Sequence, residues 1–391
     1  MLVIQSFSLL KKIIIGSVCV LAFAGLMVLY DPTVGAGQFF SVNAQFVRQF
    51  LYILVGLLAV QFFSRSSGYL WYRDERVVRV LFWASLSLLV LVLLVGSKIN
   101  GARSWFDFGV FSLQPADNIK ILFMLFMAHF YERRHVYIKH PTTLVTPLGA
   151  LIAVSSLLLL QPDFGTMVIY IGIWFCITLA AGLWWRHVAF LFGSVLLIAV
   201  VGWFFIFADY QKARIETFIH PERDPYGAGY NVIQSKVAIG AAGIWGFGVG
   251  EGTQGRLGFL PEHHTDFVFA SFTEEWGAVG ASIVILAFVA LVVTLMISAY
   301  YSERVVDSLY LVGFAAMLGV HGGIHIGMNM GLLPVTGLPM PFMSFGGSHI
   351  LAESIGLGIA LSMVARTAPA RAMYDVEYYG PAKLSIYANY D

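Results

Sequence analysis

Charge is what this chain has least of. Only 12% of its 391 residues are Asp, Glu, Lys or Arg, against about 25% in a soluble domain. The formal net charge is +1 and no basic block occurs, which excludes a nucleic-acid footprint. Cysteine is nearly absent. Cys19 and Cys176 both stand inside apolar runs, a setting for inert packing, not for a disulfide or a thiolate metal site. There is no G-x-x-x-x-G-K-[ST] loop, no H-E-x-x-H and no G-x-S-x-G, so the nucleotide, zinc-protease and hydrolase motifs are excluded. An Asp-x-Asp of the kind that holds a metal and a sugar nucleotide is missing too.

What fills the space is apolar sequence, 59% of the chain. Windows of about twenty apolar residues mark membrane-spanning helices. Ten are expected, at 13–30, 47–63, 78–97, 116–131, 143–160, 165–183, 187–208, 267–299, 306–330 and 348–365. Lys11 and Lys12 precede the first run as they would in a signal peptide. The run is long and has no small-x-small cleavage site, so it reads as a span. The expected architecture is an all-α polytopic membrane domain over 1–366 with a short cytoplasmic tail, 367–391.

Lys and Arg set the orientation. Lys11, Lys12, Arg65, Arg73, Arg76, Arg79, Arg133, Arg134, Lys139, Arg186, Arg304, Arg366 and Arg371 fall in one set of short loops. The opposite short loops hold little beyond Arg48, Lys98 and Arg103. Both termini are therefore predicted cytoplasmic. The loops around 98–115, 161–164 and 331–347, and the long segment 209–266 between spans seven and eight, are predicted outside. Its glycines and moderate hydrophobicity suggest short interfacial or re-entrant helices.

On that topology the unusual polar residues gather at the outer edge. In LPEHHTDFVFASFTEEWG, Asp266 opens span eight, and Thr265 is a candidate N-cap. A helix N-terminus favours an ionised Asp266, whether it serves chemistry or only the helix end. Glu274 and Glu275 lie two turns deeper, where acids are costly and face a cavity or a partner. His264 is a candidate for phosphate contact or proton transfer, with His263 read as a solvated neighbour. In NGARSWFDFGVFSLQPADNIK, Pro115 opens a helix, with Asp117 and Lys120 on one face. Either the two pair, or Lys120 and Arg103 with the helix end take an anionic phosphate or pyrophosphate. Asp163 sits in a tight turn that it could simply stabilise. In NMGLLPVTGLPMPFMSFGGSHIL, Pro334 and Gly337 break a helix where irregular backbone can line a cavity. Lys236 in the long segment and Ser344 in this loop complete the expected substrate-binding set. No motif supplies activation chemistry, so any group transfer needs an energised, membrane-delivered substrate.

These stretches together resemble the SEDS family, the RodA/FtsW/SpoVE group of bacterial cell-wall proteins. GARSWFDFGVFSLQPADNIK, LLQPDFGT, DPYGAGYNVIQSKVAIG, GTQGRLGFLPEHHTDFVFA and NMGLLPVTGLPMPFMSFGG each resemble a family signature, in the family's order and across nearly the whole chain. The resemblance implies ten spans with a large loop between spans seven and eight. It also implies a peptidoglycan glycosyltransferase that polymerises lipid II into β-1,4 glycan at the outer leaflet, with undecaprenyl pyrophosphate leaving. Asp266 matches the family's essential Asp, implying a catalytic base. Arg103 and Lys120 match positions that engage substrate. Departures are Asp117 for the usual Glu, Phe345 for a Tyr, His349 for a frequent Ser, and the polar Ser271 and Thr273. The chain looks more like RodA, the elongation member, than FtsW, the division member. The implied partners are lipid II, the lipid-linked glycan, a class B penicillin-binding protein and other elongation-complex proteins of the inner membrane. A divalent cation, Mg or Mn, could assist at the pyrophosphate, though no metal-ligand spacing is visible. The alternatives are a division-type polymerase, a lipid II flippase, and a scaffold that only recruits a partner synthase.

Overall fold

The computed structural model describes residues 2–30, 44–65, 71–99, 102–109, 112–134, 141–182, 193, 216–225, 227 and 229–377. Nine long helices carry the fold among these residues. They are α1 (Leu2–Leu29), α2 (Ala44–Arg65), α3 (Glu75–Val95), α4 (Pro115–Arg134), α5 (Val145–Leu160), α6 (Phe164–Ala180), α9 (Val268–Tyr300), α10 (Val305–Asn329) and α11 (Gly347–Glu377). Two shorter helices, α7 (Tyr230–Ala241) and α8 (Thr253–Arg256), precede α9. Nine of the ten expected spans coincide with these long helices. The tenth, 187–208, lies outside the described residues apart from position 193.

Seven helices among the described residues are long and apolar enough to cross a membrane, and α6 is a shorter apolar helix. Pro115–Arg134 is as long as a span but carries Asp117, Lys120 and Glu132 as well as its terminal arginines. Helix α4 is buried along nearly its whole length, with Phe123, Met124, Leu125, Met127 and Ala128 sealed from solvent, and it accommodates its buried charges by pairing Asp117 with Lys120. Phe126 of α4 stacks on Phe82 of α3 at 4.7 Å. Around this centre α10 packs on α4 and α6, α9 packs on α10 and α1, and α11 packs on α2. The outward faces of α2 and α3 expose Phe50, Leu54, Leu58, Phe62, Val80 and Leu94. Such faces suit lipid, which demands apolar side chains and a backbone bonded within each helix.

Three expectations change. The loop around 98–115 contains a small antiparallel sheet, β1 (Ser97–Ile99), β2 (Ala102–Asp107) and β3 (Ser112–Leu113), in the order β1-β2-β3. The last helix runs to Glu377, past the expected boundary at 366. Helix α9 is not continuous: Gly277 has φ 66 and ψ −168, a conformation open essentially to glycine alone. At that break the chain 243–248 crosses the helix. Phe247 N and Gly248 N donate to the carbonyls of Glu274 and Glu275, and Ala278 N and Val279 N donate to those of Gly243 and Ile244, at 3.0–3.2 Å. The groups freed by the kink are thereby satisfied, the condition for broken helices at membrane depth.

Candidate active site

At one end of the bundle, a loop from α10 to α11 (330–346) lies against the entry to α9. Its backbone is fastened by buried side chains. Ser344 Oγ donates to the Thr265 carbonyl and accepts from Met340 N, both at 2.7 Å. Phe345 N donates to the His264 carbonyl at 2.9 Å. From α2, fully buried Gln49 donates to the Ser344 carbonyl and accepts from Gly346 N. Asn329, also fully buried at the end of α10, donates to the Asp266 carbonyl at 2.9 Å and accepts from Ala270 N at 3.0 Å. The Asn329 carbonyl in turn receives Ser235 Oγ of α7 at 2.7 Å.

These bonds fix the main chain on both sides of Asp266. The helix starts one residue later than expected, with Phe267 at the cap position and no side-chain cap. Thr265 does not cap it. Its hydroxyl donates instead to Glu262, at 2.9 Å to the carboxylate. The Asp266 carboxylate faces Gly337: a Cβ built there would sit 3.4 Å from Asp266 Oδ2. Gly337 has φ 70, so the turn needs glycine, and its bare backbone lets the carboxylate approach closely. Gly331 plays the same part for Lys236, whose side chain lies across it.

The acids deeper in α9 hold the loop. Buried Glu274 accepts from Thr253 Oγ1 at 3.0 Å, Gln254 N at 2.9 Å and Gly255 N at 3.4 Å. It thus anchors the start of α8, and Glu275 offers its carbonyl to the crossing segment 243–248. The His263 and His264 rings meet at a 59° tilt with centroids 3.5 Å apart. Burial, then the neighbouring His263, lowers the His264 pKa to about 4. At neutral pH His264 is an uncharged ring and not a cation for phosphate.

A second group stands at the start of α4. Lys120 Nζ donates to Asp117 Oδ1 at 2.7 Å, with both side chains buried. The shorter Asp therefore reaches its lysine. Gln114 ties this helix to its neighbours, its N donating to Ser348 Oγ and its Nε2 to Asp163 Oδ2, both at 3.0 Å. Asp163 caps α6 through Thr166 N, and burial raises its pKa. Arg103 is placed differently. It is exposed on β2 and donates to the Leu93 carbonyl near the end of α3 at 3.5 Å. The expected pairing of Arg103 and Lys120 on one anion is not what the fold presents: one cation is exposed, and the other is sealed in an ion pair. A cavity of about 680 Å³, lined by Arg79, Trp83, Phe130, Arg133 and Thr143, opens at the opposite end of α3 and α4 and holds none of these residues.

Sequence reasoning missed Gln49, Gln114, His321, Asn329 and Glu353. A signal existed: each is a polar side chain inside or beside an apolar run, where such residues are costly and mark function or partners.

A membrane-embedded helical bundle with a polar, backbone-clamped acid at one end defines the class of protein. A family model described as "Cell cycle protein", covering FtsW, RodA and SpoVE, matches residues 11–368, and the chain belongs to that family. It is 33% identical over 353 residues to the probable peptidoglycan glycosyltransferase FtsW of Trichlorobacter lovleyi, covering 89% of this chain and 91% of the relative. It is 36% identical over 278 residues to the peptidoglycan glycosyltransferase MrdB of Escherichia coli K12, covering 71% and 74%. Among solved structures, one reported as "Structural coordination of polymerization and crosslinking by a peptidoglycan synthase complex" matches with TM-score 0.77 and 31% identity, covering 91% of this chain and 98% of that one. The rod shape determining protein RodA of Thermus thermophilus matches with TM-score 0.64 and 29% identity, covering 91% and 95%.

Proposed function

We propose that this chain is a peptidoglycan glycosyltransferase that joins lipid II into β-1,4 glycan at the outer leaflet. The observation that carries the reading is Asp266. Its backbone is held by Asn329 and its neighbour's by Ser344, while its carboxylate meets the open backbone of Gly337. A carboxylate so positioned can take a proton from a hydroxyl brought within hydrogen-bond reach. The acceptor is the GlcNAc 4-hydroxyl of an incoming lipid II. The donor is the growing chain on undecaprenyl pyrophosphate. As the oxygen attacks the anomeric carbon, the proton goes to Asp266 and the bond to pyrophosphate breaks. Displacement at an α-linked donor inverts it to a β bond.

Charge growing on the leaving pyrophosphate needs fixed cations. Arg103 and Lys236, both exposed, are free to approach it. Lys120 acts from within its pair with Asp117, holding the start of α4. A divalent cation at the pyrophosphate, a class B penicillin-binding protein that cross-links the product, and cytoplasmic termini belong to the same reading. The named relatives support both an elongation and a division role. The relative that covers more of the chain carries the division name, so division is the second reading of where the polymer is used.

Polymer formation and lipid transport are separated by giving purified protein lipid II in vesicles with the partner synthase in catalytically inert form. Glycan strands that lysozyme digests are expected. Lipid II scrambling with no polymer would replace this reading with the flippase.

A further inference from the structure

We propose that His321, His349 and Glu353 bind a transition-metal ion inside the helix bundle, with Asp117 orienting the His349 ring. His349 and Glu353 stand one turn apart on one face of α11, and His321 faces them from α10. One ligand atom from each lies within 4.8 Å of the others. His349 Nε2 is 2.9 Å from Glu353 Oε1, and the two histidine ring centroids are 4.9 Å apart. All three side chains are buried, with exposures of 1%, 6% and 2%. Yet both ring nitrogens of His321 have no hydrogen bond, and His349 Nε2 and Glu353 Oε1 meet only each other. Buried polar atoms are almost always partnered, so a buried imidazole with both nitrogens unpartnered, beside a His–Glu pair, calls for an occupant. They line a cavity of about 10 Å³ shared with Asp117 and Lys120, room for a single ion or water.

The donor set selects the occupant. Two imidazoles and one carboxylate are the ligands of three-residue zinc sites, and imidazole suits zinc and its first-row neighbours, whereas magnesium and calcium take oxygen. Zinc bonds of about 2.0–2.1 Å put ligand atoms about 3.3 Å apart, which small side-chain rotations reach from here. The remaining nitrogen of His349 lies 4.0 Å from Asp117 Oδ2. A carboxylate behind a ligating histidine is the usual device for fixing its tautomer. Electrostatics permits the ion. Asp117 neutralises Lys120, so Glu353 is left to offset one of the two charges of a divalent cation, the same charge balance as in two-histidine, one-glutamate zinc sites. The site's consequence runs through Glu353, whose other oxygen accepts from Phe342 N at 2.7 Å. Phe342 has φ 59, a strained turn in the loop that bears Ser344 and Gly337. The metal would lock α10, α11 and that loop together beneath Asp266.

The test uses full-length protein without a polyhistidine tag, dialysed against zinc and then freed of loosely held metal. Elemental analysis should find one zinc per chain in wild type and at least tenfold less in His321→Ala and His349→Ser. Asp117→Asn, which removes no ligand, should weaken affinity about 10–100-fold. Zinc should raise the melting temperature of wild type and leave both histidine variants unmoved, and cobalt should give the visible absorption of a four-coordinate site only in wild type. Wild type without retained zinc, or zinc retained equally by both histidine variants as an adventitious ion, would overturn the proposal. Because metal content is read without substrate, its failure is distinct from failure of the glycosyltransferase reading.

Discussion

Asp117 and Lys120 show what one residue can cost in this bundle. Both are buried and bonded at 2.7 Å. Removing one partner strands a buried charge, which costs about 3–5 kcal/mol, whereas an apolar pair of similar volume is often neutral. Asp117→Asn should therefore lower the melting temperature sharply in detergent, and Asp117→Leu with Lys120→Met should recover much of it. Equal melting of the single variant and wild type would show that the pair is solvated in solution. The histidines beside Asp266 give a pH signature. Burial lowers His264 to about 4 from an ordinary 6.5, and lowers His263 as well. Between those values the unfolded chain binds more protons than the folded one, so stability is complete above about pH 6.5 and falls as pH drops toward 4. His264→Gln should flatten that slope in melting curves taken across the range. The sequence made Asp117, Lys120 and Asp266 legible because charges stand out in apolar runs. It left open whether Lys120 was paired or free, because an i, i+3 spacing permits both.

Helix α9 is the element where sequence and structure part most. Its apolar pattern reads as one unbroken span, and Val268–Tyr300 does cover the expected 267–299. The break at Gly277 is invisible to hydropathy because glycine is tolerated in membrane helices. Only the bonds from 243–248 reveal why the helix can open there. A side chain at Gly277 would collide with the backbone of Ile244 and Gly246 and would hold an unfavourable φ. Gly277→Ala should therefore cost about 1–3 kcal/mol from the strained conformation alone. It should also release the 243–248 segment, seen as faster hydrogen exchange at Phe247 and Gly248. Unchanged exchange would mean that the crossing contributes little. The small sheet β1–β3 was missed for another reason: its strands are two to six residues long, too short for a period-2 pattern to show.

For the whole molecule, the order of helices was readable because each span is long and apolar, whereas their packing was not. That α4 and α10 are central and α2 peripheral follows from which faces are buried. The buried hub of Asn329 and Gln49 joins segments almost 300 residues apart, as in the Gln49–Ser344 bond, and no local spacing encodes such a contact. The charge bias predicts Lys236 outside and Arg133 inside. In a cysteine-free background, Lys236→Cys should react with an impermeant thiol reagent in intact cells, and Arg133→Cys only after permeabilisation. The reverse pattern would invert the topology and remove Asp266 from the sugar side. The most direct measurement is glycan-strand synthesis from purified lipid II by wild type and Asp266→Asn, each with the inert partner synthase. Asparagine keeps size and loses basicity, so the account predicts a folded variant whose rate falls about 10²–10⁴-fold. Equal polymer from both would contradict it.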